Sequence, residues 1–142
     1  MTIVFNDIGY GRAISAAAGT AFNPEVDQCI ARVDGERLLG GVIYQGYTGA
    51  SIGIHMAGFD PHWASKDMLW VSFHYPFVQL GCKKLFAQVP AYNERALEID
   101  RKLGFKEETR VRDVFPSGDL VVLSMIPDEC RWLRIRPRNL AG

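Results

Sequence analysis

The first part of the chain alternates apolar and polar residues in short runs, a pattern that predicts strands joined by tight turns. One helix interrupts them over Ile8–Ala18, where Asp7 can cap the helix and Gly19 can end it. An Asp-Gly pair at residues 34–35 separates two of the strands and is typical of a β-hairpin. The strands predicted here are Thr2–Phe5, Gln28–Val33, Leu38–Tyr47 and Ala50–Ala57.

The middle of the chain predicts a helix over Ser65–Leu80, which Gly81 ends. Its apolar residues occur around the whole helix rather than on one face, so most of its surface should be buried. A strand and a third helix follow over Lys84–Phe105. In that helix Asn93 is a good N-cap and Gly104 a left-handed C-cap. The positions predicted to form its buried face are Ala96, Ile99 and Leu103.

Two more strands, Lys106–Val114 and Leu120–Ile126, close the predicted fold. A meander followed by helix, strand, helix and hairpin predicts an α/β protein with one domain over residues 1–130. Residues 131–142 form an Arg-rich C-terminal extension. Its arginines either face solvent or bind a partner, and the sequence favours the first interpretation. They are Arg131, Arg134, Arg136 and Arg138.

Composition narrows the class of protein without identifying it. The 142 residues suffice for one core, and 48% apolar with 23% charged residues is typical of soluble globular proteins. Sixteen basic and sixteen acidic side chains cancel, which argues against nucleic acid as a partner. No apolar run is long enough to span a bilayer, and the N-terminus does not resemble a signal peptide. Three cysteines without paired spacing predict a reduced, cytoplasmic protein without structural zinc.

The third predicted helix carries a family pattern at Asn93, Ala96, Ile99, Gly104 and Phe105. It resembles the GCN5-related N-acetyltransferase (GNAT) family, in which such a helix follows a strand that splays away from its neighbour. The resemblance covers roughly residues 27–126 and is closest to the ribosomal-protein N-terminal acetyltransferase branch. It implies the GNAT fold, a mixed and mostly antiparallel sheet of six or seven strands flanked by helices.

The same resemblance implies an acyl-CoA-dependent N-acyltransferase that uses acetyl-CoA as co-substrate. A primary amine would attack the thioester directly. The segment before Asp27 is short for this family, which implies an open acceptor cleft suited to a peptide N-terminus or an exposed lysine. A homodimer is also compatible with the resemblance. The alternative is a catalytically silent binding or regulatory module with the same fold.

The resemblance places CoA in a wedge between the strands Ala50–Gly58 and Lys84–Pro90. Its pyrophosphate would lie on backbone N–H groups at Pro61–Asp67, at the start of the next helix. The family usually has glycines there, whereas this chain has none between Asp60 and Leu80. The residues implied in CoA binding are Met56, Ala57, Gly58, Trp63, Ala64, Ser65, Lys66, Asp67 and Asn93.

Some of these assignments have plain structural alternatives. Ser65 can simply cap the helix that follows it. Asp67 would bring the wrong charge to a phosphate. Asn93 can either cap its own helix or hydrogen-bond the pantetheine arm, and the two roles compete for one side-chain amide. The exposed loop before it slightly favours the ligand.

His55 is the candidate general base, since it lies late on the central strand and imidazole titrates near neutral pH. A structural histidine is the alternative, and Glu36 and Tyr44 are weaker candidates. Asp100 stands where many family members have a Tyr whose hydroxyl lies near the sulfur. An ionised Asp cannot donate a proton, so a raised pKa, unassisted thiolate departure or loss of catalysis are all open. The pattern favours a solvent-facing residue that pairs with a neighbour.

Overall fold

A computed structural model describes residues 1–135 and has a seven-stranded sheet with helices on both faces. The strands are β1 (Thr2–Phe5), β2 (Gln28–Asp34), β3 (Arg37–Gln45), β4 (Ser51–Gly58), β5 (Lys84–Pro90), β6 (Lys106–Phe115) and β7 (Gly118–Met125). Their order is β1-β2-β3-β4-β5-β7-β6, and only β4 and β5 are parallel neighbours. The helices are α1 (Ile8–Ala18), α2 (Lys66–His74) and α3 (Glu94–Leu103). None of the described helices is long and apolar enough to cross a membrane.

Two apolar clusters fill the two faces of this sheet and confirm the predicted fold class. On one face, here called the α1 face, Ile14 of α1 packs in a cluster with Ile43 of β3. On the other, the α2/α3 face, Phe73 of α2 and Leu97 of α3 join a larger cluster. Strand alternation assigns each side chain to one face. His55 lies directly opposite Ile43, so it belongs to the α1 face.

The helix predicted over Ser65–Leu80 is divided, which corrects the prediction. After α2 a π-helical turn follows over Tyr75–Gln79. Pro76 has no backbone N–H and cannot donate to the carbonyl of Ser72 four residues earlier. That carbonyl instead accepts a hydrogen bond from the buried hydroxyl of Tyr44. A distant strand therefore uses the group that the proline leaves unpaired.

Helix α3 presents a different face to the sheet from the one predicted. Leu97 is only 5% exposed, whereas Ile99 is 44% exposed, so the prediction that Ile99 is buried was wrong. The inward positions follow helical spacing from the N-cap and comprise Ala96, Leu97, Asp100 and Leu103. A carboxylate thus lies on the inner side of this helix.

Residues 131–135, the beginning of the predicted Arg-rich extension, contact the domain. Trp132 packs against the larger cluster, and its Nε1 donates to the carbonyl of Leu103 at 2.8 Å. Arg131 donates to a neighbouring carbonyl of the same helix end. Residues 136–142, which include Arg136 and Arg138, lie outside the described residues. The division of the chain at residue 130 therefore stays a prediction.

Gly41 allows α1 to approach the sheet closely. A Cβ at Gly41 would lie 2.3 Å from Ile14 Cδ1 and 2.5 Å from the carbonyl oxygen of Ile30. We expect Gly41→Ala to lower the free energy of unfolding by about 1–3 kcal/mol, the usual cost of overpacking, as measured by urea denaturation. Gly9→Ala is the control, because its added Cβ would meet no atom closer than 3.4 Å. Equal stability of the two variants would contradict this account.

Candidate active site

Strands β4 and β5 pair only at their beginnings and then separate. The paired residues are Ser51 with Lys84, Ile52 with Leu85 and Gly53 with Phe86. Both strands continue beyond this point, to Gly58 and Pro90 respectively. On the β5 side, main-chain groups of residues 54–58 have no strand partner among the described residues. Such groups can hydrogen-bond an extended ligand that carries amides of its own.

A cavity of about 320 Å³ occupies the gap between the separated strands. Residues 54–58 of β4 and 87–90 of β5 form its sides. Ala18 of α1 contributes from one face of the sheet, and residues of α3 contribute from the other. The gap therefore gives access to the same point from both faces. From α3 the lining residues are Arg95, Ala96, Ile99 and Asp100, with Asn93 as its N-cap.

The residues predicted to bind CoA fall into two groups in the structure. Those that line the cavity are Met56, Ala57, Gly58, Trp63 and Asn93. The remaining four, Ala64, Ser65, Lys66 and Asp67, lie at the start of α2 and do not line it. Ser65 is the N-cap, and its Oγ accepts a hydrogen bond from the backbone N–H of Met68 at 3.2 Å. The capping alternative for Ser65 therefore describes its contacts correctly.

The turn before α2 is held by side chains rather than shaped by glycines. Arg32 donates to the carbonyl oxygens of His62 and Trp63. Asp60 accepts from the backbone N–H of His62 at 2.8 Å and pairs with Arg37 at 2.6 Å. The backbone hydrogen bond, followed by the Arg37 charge, lowers the pKa of the Asp60 carboxyl. The turn is therefore fixed in place by the β2–β3 hairpin.

Trp63 connects this turn to the cavity. Its indole packs on two strand glycines: a Cβ at Gly58 would lie 2.1 Å from its Nε1, and one at Gly40 would lie 2.7 Å from its Cγ. The turn before α2 has no glycine, but Gly40 and Gly58 on the neighbouring strands leave room for the Trp63 ring. Sequence reasoning missed Gly40, although a Gly-Gly pair in a strand is a signal of close approach.

Asn93 caps its own helix. Its Oδ1 accepts from the backbone N–H of Ala96 at 3.2 Å. The sequence slightly favours a ligand over capping for this side chain. For Oδ1 the capping role is the one observed, because the first turn of α3 already occupies this oxygen. The Nδ2 group of the same amide is a donor and can serve a ligand in the cavity. One side chain can thus serve both roles through different atoms.

His55 lies where the main cavity meets a second one on the α1 face. The second cavity, of about 370 Å³, shares Ile54, His55 and Gln88 with the first. The imidazole is half-buried, and burial lowers its pKa while the charge of Asp27 partly offsets the effect. A histidine with a lowered pKa is neutral at pH 7 and can accept a proton.

Gln88 and Phe86 also line the second cavity, and sequence reasoning missed both. The alternation of β5 carries the signal. Since Leu85, Ala87 and Val89 are buried on the α2/α3 face, the residues between them must point to the α1 face. Of the weaker base candidates, Tyr44 is buried with a raised pKa, caused by burial, and lies outside both of these cavities. Glu36 is exposed in the hairpin turn.

Asp100 faces the main cavity from α3, two helical turns after Asn93. Burial raises the pKa of its carboxyl to about 6. The structure shows no hydrogen bond or ion pair of this carboxylate with any residue from 1 to 135. The preferred interpretation as a solvent-facing residue that pairs with a neighbour was therefore wrong. Helical spacing from the cap, 93-96-97-100, is the signal that indicates the inner face.

The three cysteines, Cys29, Cys82 and Cys130, are buried and carry free thiols. Burial is the main cause that raises the pKa of each thiol. A thiol with a raised pKa is a poor nucleophile at neutral pH. None of these three thiols is therefore a good candidate for a catalytic nucleophile.

No protein-family model matches this sequence, and no curated protein matches it. Solved structures share its fold. One is a mutant form of the spermidine/spermine N-acetyltransferase SpeG from Vibrio cholerae, with a TM-score of 0.70 and 16% identity, covering 94% of this chain and 97% of that chain. Another is a GNAT-family acetyltransferase from Bacillus anthracis, with a TM-score of 0.62 and 11% identity, covering 91% and 97%. At these identities the likeness establishes the GNAT fold, while closeness to the ribosomal-protein branch stays a prediction.

Proposed function

We propose that this protein is an N-acyltransferase that transfers the acetyl group of acetyl-CoA to a primary amine. The observation that carries this proposal is the separation of β4 from β5 after Gly53 and Phe86. It leaves a cavity that opens to both faces of the sheet, so two substrates can approach one point without sharing an entrance. Acetyltransferases with this fold are known among solved structures, which supports the reaction class.

The α2/α3 face suits the donor. The amides of the pantetheine arm can pair with the main chain of residues 54–58, and Asn93 Nδ2 can donate to the same arm. The N-terminus of α2 carries a partial positive charge that favours the pyrophosphate, with Lys66 beside it. Trp63 lines the cavity and lies in the turn just before α2, so it connects the proposed pantetheine and pyrophosphate sites.

The α1 face suits the acceptor. His55 can take the proton that the amine loses as it attacks the thioester carbon. Gln88 and Phe86 line the approach to it. Helix α1 packs mainly on β2, β3 and β4. It makes little contact with β5, β7 and β6, so the α1 face of those strands is more open. A cleft of this kind can admit an amine on a large molecule, such as a peptide N-terminus or an exposed lysine.

A silent binding module is the second candidate, and the residues of the turn before α2 favour it. This turn has no glycine, so its side chains restrict how closely a phosphate can approach the backbone N–H groups. Asp67, in the first turn of α2, also adds a negative charge where phosphate would bind. These features weaken the phosphate site without affecting the cavity for the acyl-bearing arm.

Calorimetric titration with acetyl-CoA tests the donor site. We expect micromolar binding to the wild-type protein. We expect at least about tenfold weaker binding to Gly58→Ala, because the added Cβ would displace the Trp63 ring that lies 2.1 Å away. Gly9→Ala, which adds the same methyl group at a position that does not line the cavity, should bind like the wild type.

The outcomes separate the candidates. No heat at millimolar acetyl-CoA would overturn the donor assignment altogether. Binding without release of CoA thiol in the presence of amine-bearing peptides would favour the silent module. Equal affinity of wild type and Gly58→Ala would show that CoA binds elsewhere.

A further inference from the structure

The gap between β4 and β5 brings one candidate acid and one candidate base to the same cavity from opposite faces of the sheet. His55 reaches it from the α1 face, and Asp100 reaches it from the α2/α3 face. In the proposed function the amine approaches from the first face and the thioester sulfur from the second. Asp100 therefore lies on the side where the leaving group departs, and the proposed reaction has so far given it no role.

We propose that Asp100, as a neutral carboxylic acid, donates the proton that the sulfur of CoA takes up when the thioester bond breaks. This inference rests on the proposed function. The C–N bond forms as the amine attacks, and the amine proton passes to His55. The C–S bond then breaks, and the Asp100 proton passes to the sulfur. The products are the amide and CoA thiol, and solvent returns the proton from His55 to Asp100, so atoms and charge balance.

The surroundings of Asp100 keep its acid form accessible. The ionisable side chains that line the cavity within residues 1–135 are His55, Arg95 and Asp100. The β5 segment, Trp63 and Ala18 contribute none. Burial is the cause of the raised pKa, about 6, and no neighbouring cation counteracts it. A carboxyl group normally loses its proton near pH 4, so this site holds the proton about two pH units longer.

The proton transfer runs in the favourable direction. An alkyl thiol has a pKa of about 8.5, so a thiolate takes a proton from a carboxylic acid of pKa about 6. Bound donor would shield the carboxyl from water further, which raises its pKa again and increases the protonated fraction at neutral pH.

The test compares wild type with Asp100→Asn, measuring CoA thiol released as a function of pH with a short peptide that has a free N-terminus, or with water as acceptor. We expect Asp100→Asn to lower kcat/KM for acetyl-CoA about 10²- to 10⁴-fold below pH 6. Ionisation of His55 and of the amine affects both proteins alike, so their rate ratio isolates Asp100. That ratio should fall about tenfold per pH unit above the Asp100 pKa, because only the wild type loses its acid.

Three controls distinguish a proton donor from a structural residue. Asp100→Glu should recover part of the activity, since it restores an acid at the same position. Glu98→Gln, on the exposed side of α3, should behave like wild type. Calorimetry should give Asp100→Asn an acetyl-CoA affinity close to that of the wild type. A rate ratio that stays constant across pH 5–8, or an unchanged kcat/KM, would overturn the proposal.

Failure of the proposed function gives a different result. In that case the wild type itself would bind no acetyl-CoA, or would bind it without releasing thiol. If Asp100→Asn did not fold, the Asp100→Glu variant would carry the test. Its longer side chain changes the position of the acid, so its kcat/KM should fall while its pH dependence persists.

Discussion

Replacing His55 by Ala is expected to slow acetyl transfer about 10²- to 10⁴-fold, the range usual for loss of a general base. The imidazole lies where the two cavities meet, and burial lowers its pKa. A lowered pKa keeps the ring neutral, and therefore competent as a base, at pH values where an exposed histidine is already half protonated. The measurement is the steady-state rate of thiol release at saturating acetyl-CoA between pH 5 and 8.

His74→Ala is the matched control, since it removes an imidazole from outside both cavities. His74 stacks on Trp70 with ring centroids 4.1 Å apart and lies on α2. We expect the rate of His74→Ala to equal that of the wild type. His55→Gln should fail as His55→Ala does, because an amide fills the space without accepting the proton. A wild-type rate in His55→Ala would remove this residue from the mechanism.

The positions of helices and strands could be predicted from the sequence because their signals are local. The Asp-Gly hairpin, the Asn93 cap and the Gly104 C-cap each act within a few residues, and each lies where expected. The end of α2 was predicted too late, although Pro76 is a local signal of a break in the helix. What no local signal shows is the partner of the carbonyl that Pro76 leaves unpaired, which is the hydroxyl of Tyr44 on a distant strand.

The separation of β4 from β5 has no hydrophobic signature. Ala87 and Val89 are buried like Leu85, although only Leu85 lies in the part of β5 that pairs with β4. Their burial comes from helices on the α2/α3 face, so the alternation continues through the gap. The family resemblance supplied this expectation, and the residue pattern alone did not.

The role of Asp100 was misjudged because charged residues on helices usually face water. Its inward position follows from the cap at Asn93 and the burial of Leu97, which set the rotation of α3. The pattern of Ala96, Ile99 and Leu103 fits another rotation nearly as well. Two apolar stripes one residue apart are hard to separate in a helix of 10 residues.

Asp100→Asn is expected to raise the free energy of unfolding at pH 7 by up to about 3 kcal/mol. The wild-type carboxyl has a pKa of about 6 in the folded protein and 3.8 when unfolded, and each pKa unit corresponds to about 1.4 kcal/mol. The folded state therefore binds more protons between these two values. Wild-type stability should fall as pH rises from about 4 to 6, whereas an amide does not ionise and avoids this loss.

Urea denaturation at pH 4 and pH 7 measures the effect, with Glu98→Gln as control. The gain in Asp100→Asn should be close to zero at pH 4, where the wild-type carboxyl is protonated in the folded state. Glu98 is exposed and pairs with Lys102 at 3.0 Å, so its replacement should not stabilise the protein at either pH. A loss of stability at pH 7 in Asp100→Asn would mean that the carboxylate is stabilised in the fold. A variant that is more stable and yet slower is the result expected of an acid that destabilises the fold but serves the reaction.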